Sequence, residues 1–190
     1  MIKQAVIFCG GYGKRLGVIT KKIPKPMVIV EGKPFLFYLL DQCKSNGITE
    51  FVFLCGYKSE IIHKYFGDGK KFGVKIKYHY NPVSVETYKR ICDAKKILQN
   101  NFLLLYADNY SSLNLHNLLN DYINLKSKFI ISICKKKNGN IILDNQNKKI
   151  KKYSFTKNTK SKFVDIGYMI LNKKLLFSAY ENKNISFSYF

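Results

Sequence analysis

Short apolar runs alternate with amphipathic segments along the first half of the chain. Three of the runs are continuous, which is typical of parallel strands covered on both faces: residues 5–8, 51–55 and 102–106. The segments between them carry apolar residues at helical spacing: residues 35–43, 59–66 and 86–98. Residues 27–30 and the alternating residues 74–80 predict further extended segments. This order predicts a doubly wound, Rossmann-like α/β sheet.

The second half of the chain has a less regular pattern. Helices are expected at residues 115–125 and 174–180, and strands at residues 129–134 and 163–171. A hairpin is expected to pair two further segments, residues 140–144 and 150–155. No repeat, linker or change of composition divides the chain, so residues 1–190 are expected to form one domain.

The composition is that of a globular protein, since 46% of the residues are hydrophobic. No apolar run reaches the length of a membrane span, and residues 1–4 lead directly into the first strand. Neither a membrane anchor nor a signal peptide is therefore expected. The five cysteines are odd in number, widely spaced and mostly within apolar runs. We expect reduced core thiols and a cytoplasmic protein.

The formal net charge of +21 raises nucleic-acid binding as a function. Only two of the 33 basic residues are arginine, however, and the lysines are spread through most of the chain. The aromatic residues are not interleaved with the basic ones, as a base-stacking platform would require. We expect a solvated basic surface that attracts anionic substrates, and RNA binding is the alternative.

The first candidate site is a glycine-rich turn directly after residues 5–8. Its glycines leave backbone N–H groups unshielded, which suits an anion: Gly10, Gly11 and Gly13. Arg15 adds a planar fork of donors, and Lys25, held between two prolines, adds a compact positive charge. Together these groups predict a site for a polyphosphate.

Two commoner glycine motifs do not fit this turn. A P-loop would need glycine at Phe8 and Ser or Thr at Arg15, and a dinucleotide-binding fingerprint would need glycine at Leu16. The pattern that remains is G-G-x-G-x-R-L, followed by Thr20 and by P-K-P-M at residues 24–27.

The second candidate is Asp108, which follows the predicted strand at residues 102–106. Ligands of doubly wound sheets bind beyond the carboxyl ends of the strands, where Asp108 and the glycine turn should share one site. A carboxylate there could hold a divalent cation that neutralises phosphoryl oxygens and stabilises a leaving pyrophosphate. The simpler interpretation of Asp108 is a helix N-cap.

The glycine turn, Thr20 and the P-K-P-M sequence resemble the signature of the sugar-1-phosphate nucleotidyltransferases. The resemblance extends over the whole chain and implies the GT-A-like nucleotidyltransferase fold. It also implies transfer of a nucleoside monophosphate from a nucleoside triphosphate to a sugar 1-phosphate, with release of pyrophosphate. These small molecules are the implied partners, and Mg²⁺, held by Asp108, is the implied cofactor.

The roles of the family's residues carry over to matching positions of this chain. The implied catalytic residues are Arg15, Lys25 and Asp108. The implied nucleotide-binding residues are Gly10, Gly11, Gly13, Lys14 and Thr87. The implied sugar-phosphate residues are Lys157, Asp165 and Gly167. Pairing with a neighbouring lysine is the simpler interpretation of Asp165.

Four segments resemble one branch of the family, the D-glycero-D-manno-heptose 1-phosphate guanylyltransferase-like proteins: residues 56–62, 85–87, 107–110 and 164–168. This branch implies GTP and a heptose 1-phosphate as substrates, for lipopolysaccharide, capsule or surface-layer glycans. It also implies a homo-oligomer or a phosphatase partner. Because the family's domains usually continue further, residues 1–190 are expected to lack the usual C-terminal end.

Tyr88 stands where the family usually has glycine, so its ring is expected either to block the nucleotide base or to stack on it. This departure leaves a non-catalytic nucleotide-binding protein or partner subunit as an alternative to an enzyme. A further alternative is a cytidylyltransferase acting on a non-sugar phosphate, which would share the glycine turn and differ in its acceptor pocket.

Overall fold

The computed structural model describes residues 2–112, 114–127, 129–144, 149–154 and 161–181. Its helices and strands are, in chain order, β1 (Gln4–Cys9), α1 (Val18–Lys22), β2 (Ile29–Val30), β3 (Lys33–Pro34), α2 (Phe35–Ser45), β4 (Glu50–Cys55), α3 (Ser59–Phe66), β5 (Lys75–Tyr80), α4 (Thr87–Asp93), β6 (Asn101–Tyr106), α5 (Leu115–Asn124), β7 (Phe129–Lys135), β8 (Ile141–Asp144), β9 (Lys149–Tyr153), β10 (Phe163–Asn172) and α6 (Lys173–Glu181).

One mixed sheet contains most of these strands. Four of them are parallel and lie side by side in the order β5, β4, β1, β6. The chain moves outward from β1 to β4 and β5, and then returns to the other side of β1 as β6. The strand order therefore reverses between β1 and β6, the place where doubly wound sheets bind their ligands. The predicted doubly wound α/β sheet is confirmed.

The parallel strands are buried on both faces, and alternate residues enter two different cores. On β1, Ala5 and Ile7 contribute to one core and Val6 to the other. Phe53 of β4 lies in the first core, and its neighbour Leu54 lies in the second. This burial on both faces explains the continuous apolar runs in the sequence, because a strand covered on both faces has no position that favours a polar side chain.

The helices cover the two faces of the sheet. The first core takes apolar residues from α2, α3 and α5, including Leu36, Ile62 and Leu115. The second core takes residues from α4 and α6, including Ile91 and Leu176. Each helix buries one apolar stripe against the sheet, as its helical spacing of apolar residues predicts.

β10 joins the antiparallel part of the sheet to the parallel part. It pairs with β6 on one side and with β7 on the other, and Phe163 at its start pairs with Ile141 of the β8–β9 hairpin. Its pairing with β7 shifts register between Asp165 and Met169. Gly167 lies within this bulge at a φ of 80°, a conformation that glycine adopts at little cost.

The helix expected at residues 86–98 is shorter in the structure. It ends at Asp93 and is followed by a tight 3₁₀ turn, Lys95–Ile97. The buried side chain of Gln4 accounts for the ending. Its amide donates to the carbonyl of Ile97 at 3.1 Å, and its oxygen accepts the N–H of Gln99 at 2.8 Å. These bonds satisfy the Ile97 carbonyl and the Gln99 N–H, which therefore need no partner within a helix.

The expectation of core thiols is correct for Cys9, Cys43 and Cys55, which are buried, and wrong for Cys134, which is exposed. Cys134 lies near the carboxyl end of β7, in the part of that strand whose residues are open to solvent. All five cysteines are free thiols. Among the described residues, no helix combines the length and the apolar character needed to cross a bilayer.

Replacing Phe53 tests the packing of the first core. Phe53 is fully buried and makes edge-to-face contacts with Phe66 and Tyr78. We expect Phe53→Ala to lower the free energy of unfolding by about 3–5 kcal/mol in urea denaturation, because the cavity cannot fully collapse. The control Leu125→Ala, at a side chain that is 70% exposed, should change it by less than about 0.5 kcal/mol. Equal losses in the two variants would contradict the assignment of Phe53 to the core.

Candidate active site

The glycine turn and Asp108 leave two neighbouring strands at the same edge of the sheet. β1 and β6 pair in parallel with Phe8 opposite Tyr106, so the next residues of both strands emerge side by side. The N–H of Ala107 also donates to the carbonyl of Phe8 at 3.1 Å, which extends the pairing by one residue. The turn and Asp108 consequently line the same cleft.

This cleft consists of two adjoining cavities. The first, of about 410 Å³, is lined by Phe8, Cys9, Gly10, Gly11, Gly13, Arg15, Lys25, Pro26, Val83, Val85, Thr87, Arg90, Tyr106, Ala107 and Asp108. The second, of about 560 Å³, is lined by Arg15, Leu16, Lys25, Tyr106, Asp108, Asn109, Asn140, Tyr153, Asp165 and Gly167.

Four residues line both cavities, and we call them the shared wall: Arg15, Lys25, Tyr106 and Asp108. Two ligands, one in each cavity, would therefore meet beside the same two cations and one carboxylate. Such a wall suits two phosphate groups, because the cations neutralise their charge and the carboxylate can hold a divalent ion between them.

Lys25 and Asp108 form an ion pair within the shared wall. Lys25 Nζ donates to Asp108 Oδ2 at 2.8 Å, and the two side chains are 25% and 41% exposed. Lys25 begins the 3₁₀ turn Lys25–Met27, in which the buried Pro26 and Met27 fix the backbone. The lysine thus extends from a rigid turn, and its partial exposure lets it exchange Asp108 for a ligand.

The backbone at Gly13 excludes any larger residue. Gly13 has a φ of 65°, and a Cβ atom there would lie 2.9 Å from Lys25 Cβ and 3.0 Å from Thr20 Cγ2. The Thr20 hydroxyl donates within the same turn, to the carbonyl of Gly13 at 3.3 Å and to that of Gly17 at 3.1 Å. Thr20 and the P-K-P-M sequence therefore hold the glycine turn in its shape.

The other two glycines of the turn have different surroundings. A Cβ at Gly11 would meet no atom within 4 Å, so Gly11 faces open space in the cleft. A Cβ at Gly10 would overlap the guanidinium of Arg90. Arg15 is exposed on the 3₁₀ turn Lys14–Leu16, directly after Lys14. In the described part of the chain, Arg15 forms no ion pair with a carboxylate.

Asp165 lies in the wall of the second cavity. Its Oδ1 accepts the N–H of Gly167 at 2.6 Å, and its Oδ2 accepts the Tyr153 hydroxyl at 3.2 Å. Burial raises the pKa of Asp165, and the Gly167 and Tyr153 hydrogen bonds partly oppose that rise. Burial, together with the nearby Asp165, raises the pKa of Tyr153 to about 12. This partner replaces the lysine considered for Asp165 from the sequence.

Gly167 gives the second cavity its room. A Cβ there would lie 2.8 Å from Asn109 Nδ2, and that amide donates to the carbonyl of Ile166.

Thr87 lines the first cavity. Lys157, expected to contact the sugar phosphate, lies outside the described residues.

The expectation that Tyr88 blocks the base or stacks on it is wrong. Tyr88 is buried in the second core with Val6, Ile91 and Leu98, and it does not line either cavity. The first turn of α4 directs Thr87 to the cleft and Tyr88 to the sheet.

Three residues that line the cleft were not predicted from the sequence: Arg90, Tyr153 and Asn140. Arg90 had a signal, since it is one of two arginines in a chain rich in lysine.

The residues present fit a Mg²⁺ ion that is completed by its substrates. Mg²⁺ is usually held by one or two carboxylates together with phosphate oxygens and water. Asp108 supplies one carboxylate in the shared wall, and its Oδ1 makes no hydrogen bond to the described residues. Among those residues, no group of three His, Cys, Asp or Glu side chains forms a self-sufficient metal site.

Residues 4–183 match the family profile described as nucleotidyl transferase. The chain is 38% identical over 115 residues to the D-glycero-alpha-D-manno-heptose 1-phosphate guanylyltransferase of Campylobacter jejuni, which covers 60% of this chain and 52% of that protein. It is 34% identical over 112 residues to the UTP–glucose-1-phosphate uridylyltransferase AglF of Haloferax volcanii, covering 59% and 46% of the two proteins.

The fold is similar to the crystal structure of HddC from Yersinia pseudotuberculosis complexed with GMP-PN. That match has a TM-score of 0.77 and 23% identity, and it covers all of this chain and 82% of the other. The alignments to the two curated relatives span about half of those proteins' length.

Asp165→Asn is expected to stabilise the protein at pH 7. Because burial raises the folded-state pKa of Asp165, the wild-type protein loses stability as the pH rises through that pKa, whereas asparagine does not titrate. Urea denaturation should show the gain of the variant shrinking as the pH falls towards 3.8, the ordinary pKa of aspartate. A wild-type protein as stable as Asp165→Asn at pH 7 would contradict the prediction.

Proposed function

Because the chain belongs to the nucleotidyl transferase family, we propose that it transfers a nucleoside monophosphate from a nucleoside triphosphate to a sugar 1-phosphate and releases pyrophosphate. The observation that carries this proposal is the shared wall. A nucleotide in the first cavity and a sugar phosphate in the second would bring their phosphates together at Arg15, Lys25 and Asp108.

We propose GTP and a heptose 1-phosphate as the substrates. The name of the Campylobacter relative specifies guanylyl transfer and a heptose 1-phosphate, and that relative is 38% identical over the matched segment. The Haloferax relative is named for UTP and glucose 1-phosphate, so base and sugar need a direct test. An activated heptose would serve the synthesis of lipopolysaccharide or capsule. The five free thiols are in keeping with a cytoplasmic location.

The reaction needs no protein nucleophile. A phosphate oxygen of the sugar 1-phosphate forms a bond to the α-phosphorus, the bond from that phosphorus to the β-phosphate bridging oxygen breaks, and pyrophosphate leaves with the electron pair. Negative charge grows on the leaving group and the phosphoryl oxygens, so positively charged donors fixed at this point lower the barrier. Arg15 and Lys25, which line both cavities, would supply these donors.

Lys25 would change partners when the substrates bind. In the free protein it pairs with Asp108 at 2.8 Å, which balances the charge of both groups. Triphosphate oxygens would offer the Lys25 ammonium a second anionic partner. When Lys25 leaves Asp108 for these oxygens, the Asp108 carboxylate would be free to hold Mg²⁺. The bound ion would supply charge neutralisation at the phosphates. Lys25 remains beside the same oxygens and contributes a further positive charge.

Polar groups of the second cavity would select and orient the sugar. Asn109, Asn140, Tyr153 and Asp165 line it, and sugar hydroxyls need such donors and acceptors. Asp165 is held in place by Gly167 and Tyr153, so its geometry is set before the substrate arrives. The position of Tyr88 in the core removes one of the observations that favoured a non-catalytic protein.

A grid of substrates tests the proposed function. We expect Mg²⁺-dependent pyrophosphate release when four nucleoside triphosphates are each combined with heptose, mannose and glucose 1-phosphates, and the highest rate with GTP and the heptose. A different best pair would keep the reaction and replace the substrates. Silence in every well, with nucleotide still bound, would contradict catalysis.

Variants of the shared wall test the partner exchange. We expect Asp108→Asn and Lys25→Met each to lower kcat/KM by about 100- to 1,000-fold, since each removes a charge that acts on the reacting phosphates. In the substrate-free protein, Lys25→Met should bind Mn²⁺ more tightly than wild type, because Asp108 loses its competing cation, and Asp108→Asn should bind it more weakly.

The control for these variants is Lys21→Met, which removes an exposed lysine of the nearby helix α1. It should leave both turnover and Mn²⁺ binding close to wild type. Unchanged Mn²⁺ binding in Lys25→Met would rule out competition between the lysine and the metal for Asp108.

A further inference from the structure

Arg90 is a buried cation in the first cavity. It lies on α4, is only 5% exposed, and lines that cavity together with Val83, Val85 and Thr87. Among the described residues it forms no ion pair with a carboxylate. A buried charge without an anion is costly, so its retention beside a ligand cleft points to a role in binding.

Three backbone carbonyls hold the guanidinium in one position. Its Nε donates to Val85 at 3.0 Å, Nη1 to Cys55 at 3.1 Å and Nη2 to Pro82 at 2.7 Å. A guanidinium has five N–H groups. One N–H on Nη1 and one on Nη2 therefore have no acceptor in the described part of the chain. These two donors are on neighbouring nitrogens, Nη1 and Nη2, whose positions the three hydrogen bonds fix.

Two glycines make room for this group at the edge of the sheet. A Cβ at Gly10 would overlap the guanidinium, and a Cβ at Gly56 would lie 3.0 Å from Nη1. The guanidinium thus packs against the carboxyl ends of β1 and β4, directly beneath the glycine turn.

Arg90 belongs to the end of the cleft that would take the base. Val83, Val85, Thr87 and Arg90 line the first cavity and do not line the second, so they lie apart from the wall where the phosphates would meet. Two valines, a threonine and a fixed cation provide an apolar pocket with directed hydrogen-bond donors, which suits a flat heterocycle.

We propose that Arg90 selects a nucleobase that presents two adjacent hydrogen-bond acceptors to its paired terminal N–H groups. Guanine presents O6 and N7, and cytosine presents O2 and N3. Adenine places an amino group beside N7, and uracil and thymine separate their oxygens by an N–H, so none of these three fits the pair. This inference rests on the proposed function and assigns it a base class.

Base analogues test the inference on the wild-type enzyme. We expect GTP or CTP to have the highest kcat/KM of the triphosphates. If GTP is preferred, 7-deaza-GTP, which lacks the N7 acceptor, should lose roughly tenfold in kcat/KM, and ITP, which keeps O6 and N7, should lose much less. If CTP is preferred, 3-deaza-CTP should lose a similar factor.

Arg90→Lys separates base selection from support of the loop. If Arg90 contacts the base, the variant should lose kcat/KM for GTP, and the penalty of 7-deaza-GTP relative to GTP should disappear. If Arg90 only supports the loop, both nucleotides should lose activity equally and the penalty should remain. The control Lys96→Gln, an exposed charge beyond α4, should keep the wild-type penalty.

The outcomes distinguish this inference from the proposed function. Preference for ATP, UTP or dTTP, or no penalty from the deaza analogue in the wild type, would overturn base selection by Arg90 and leave nucleotidyl transfer intact. These wild-type measurements decide the matter even if Arg90→Lys fails to fold. Absence of both turnover and nucleotide binding would overturn the proposed function and, with it, this inference.

Discussion

The parallel register between β1 and β6 is the constraint on which the candidate site depends. Phe8 lies opposite Tyr106, and the Ala107 N–H continues the pairing, so the glycine turn and Asp108 leave the sheet at the same height. A slip of one residue would turn every side chain of β6 to the opposite face, so Leu103 and Leu105 would enter the second core and Leu104 the first, each at a position packed for a different residue. Core packing on both faces therefore fixes the geometry of the shared wall.

Much of the fold follows from the sequence pattern, because burial on both faces leaves continuous apolar runs that few other structures produce. The shared cleft also follows, since the carboxyl ends of neighbouring parallel strands must meet. Resemblance predicts Tyr88 at the nucleotide base, whereas the helical spacing of apolar residues predicts it in the core, and the structure agrees with the spacing. Tyr88 and Ile91 lie three residues apart on one stripe of α4, and that stripe faces the sheet. The partners of Arg90 are backbone carbonyls, which leave no trace in a sequence.

The cleft concentrates two carboxylates in a protein that has few. The chain carries 33 basic and 12 acidic residues, so its surface attracts anions from a distance. Asp108 and Asp165 would repel the same anions at close range. The two carboxylates have different partners: Asp108 is paired with Lys25, whereas the half-buried Asp165 accepts hydrogen bonds from Gly167 and Tyr153. Pairing with Lys25 would let a phosphate approach the shared wall, and the Asp165 carboxylate would remain available to hydroxyl groups.

Gly10 would couple the two ends of a bound nucleotide. It belongs to the turn that would contact the phosphates, and its missing side chain leaves the space that the Arg90 guanidinium fills. A larger residue at this position would displace Arg90 from the carbonyls of Cys55, Pro82 and Val85, and so disturb the base end of the cleft. Gly56 imposes the same limit from β4. The glycines near the turn thus serve different purposes: Gly13 permits the backbone conformation, Gly11 keeps the cleft open, and Gly10 would join phosphate binding to the proposed base recognition through a single buried cation.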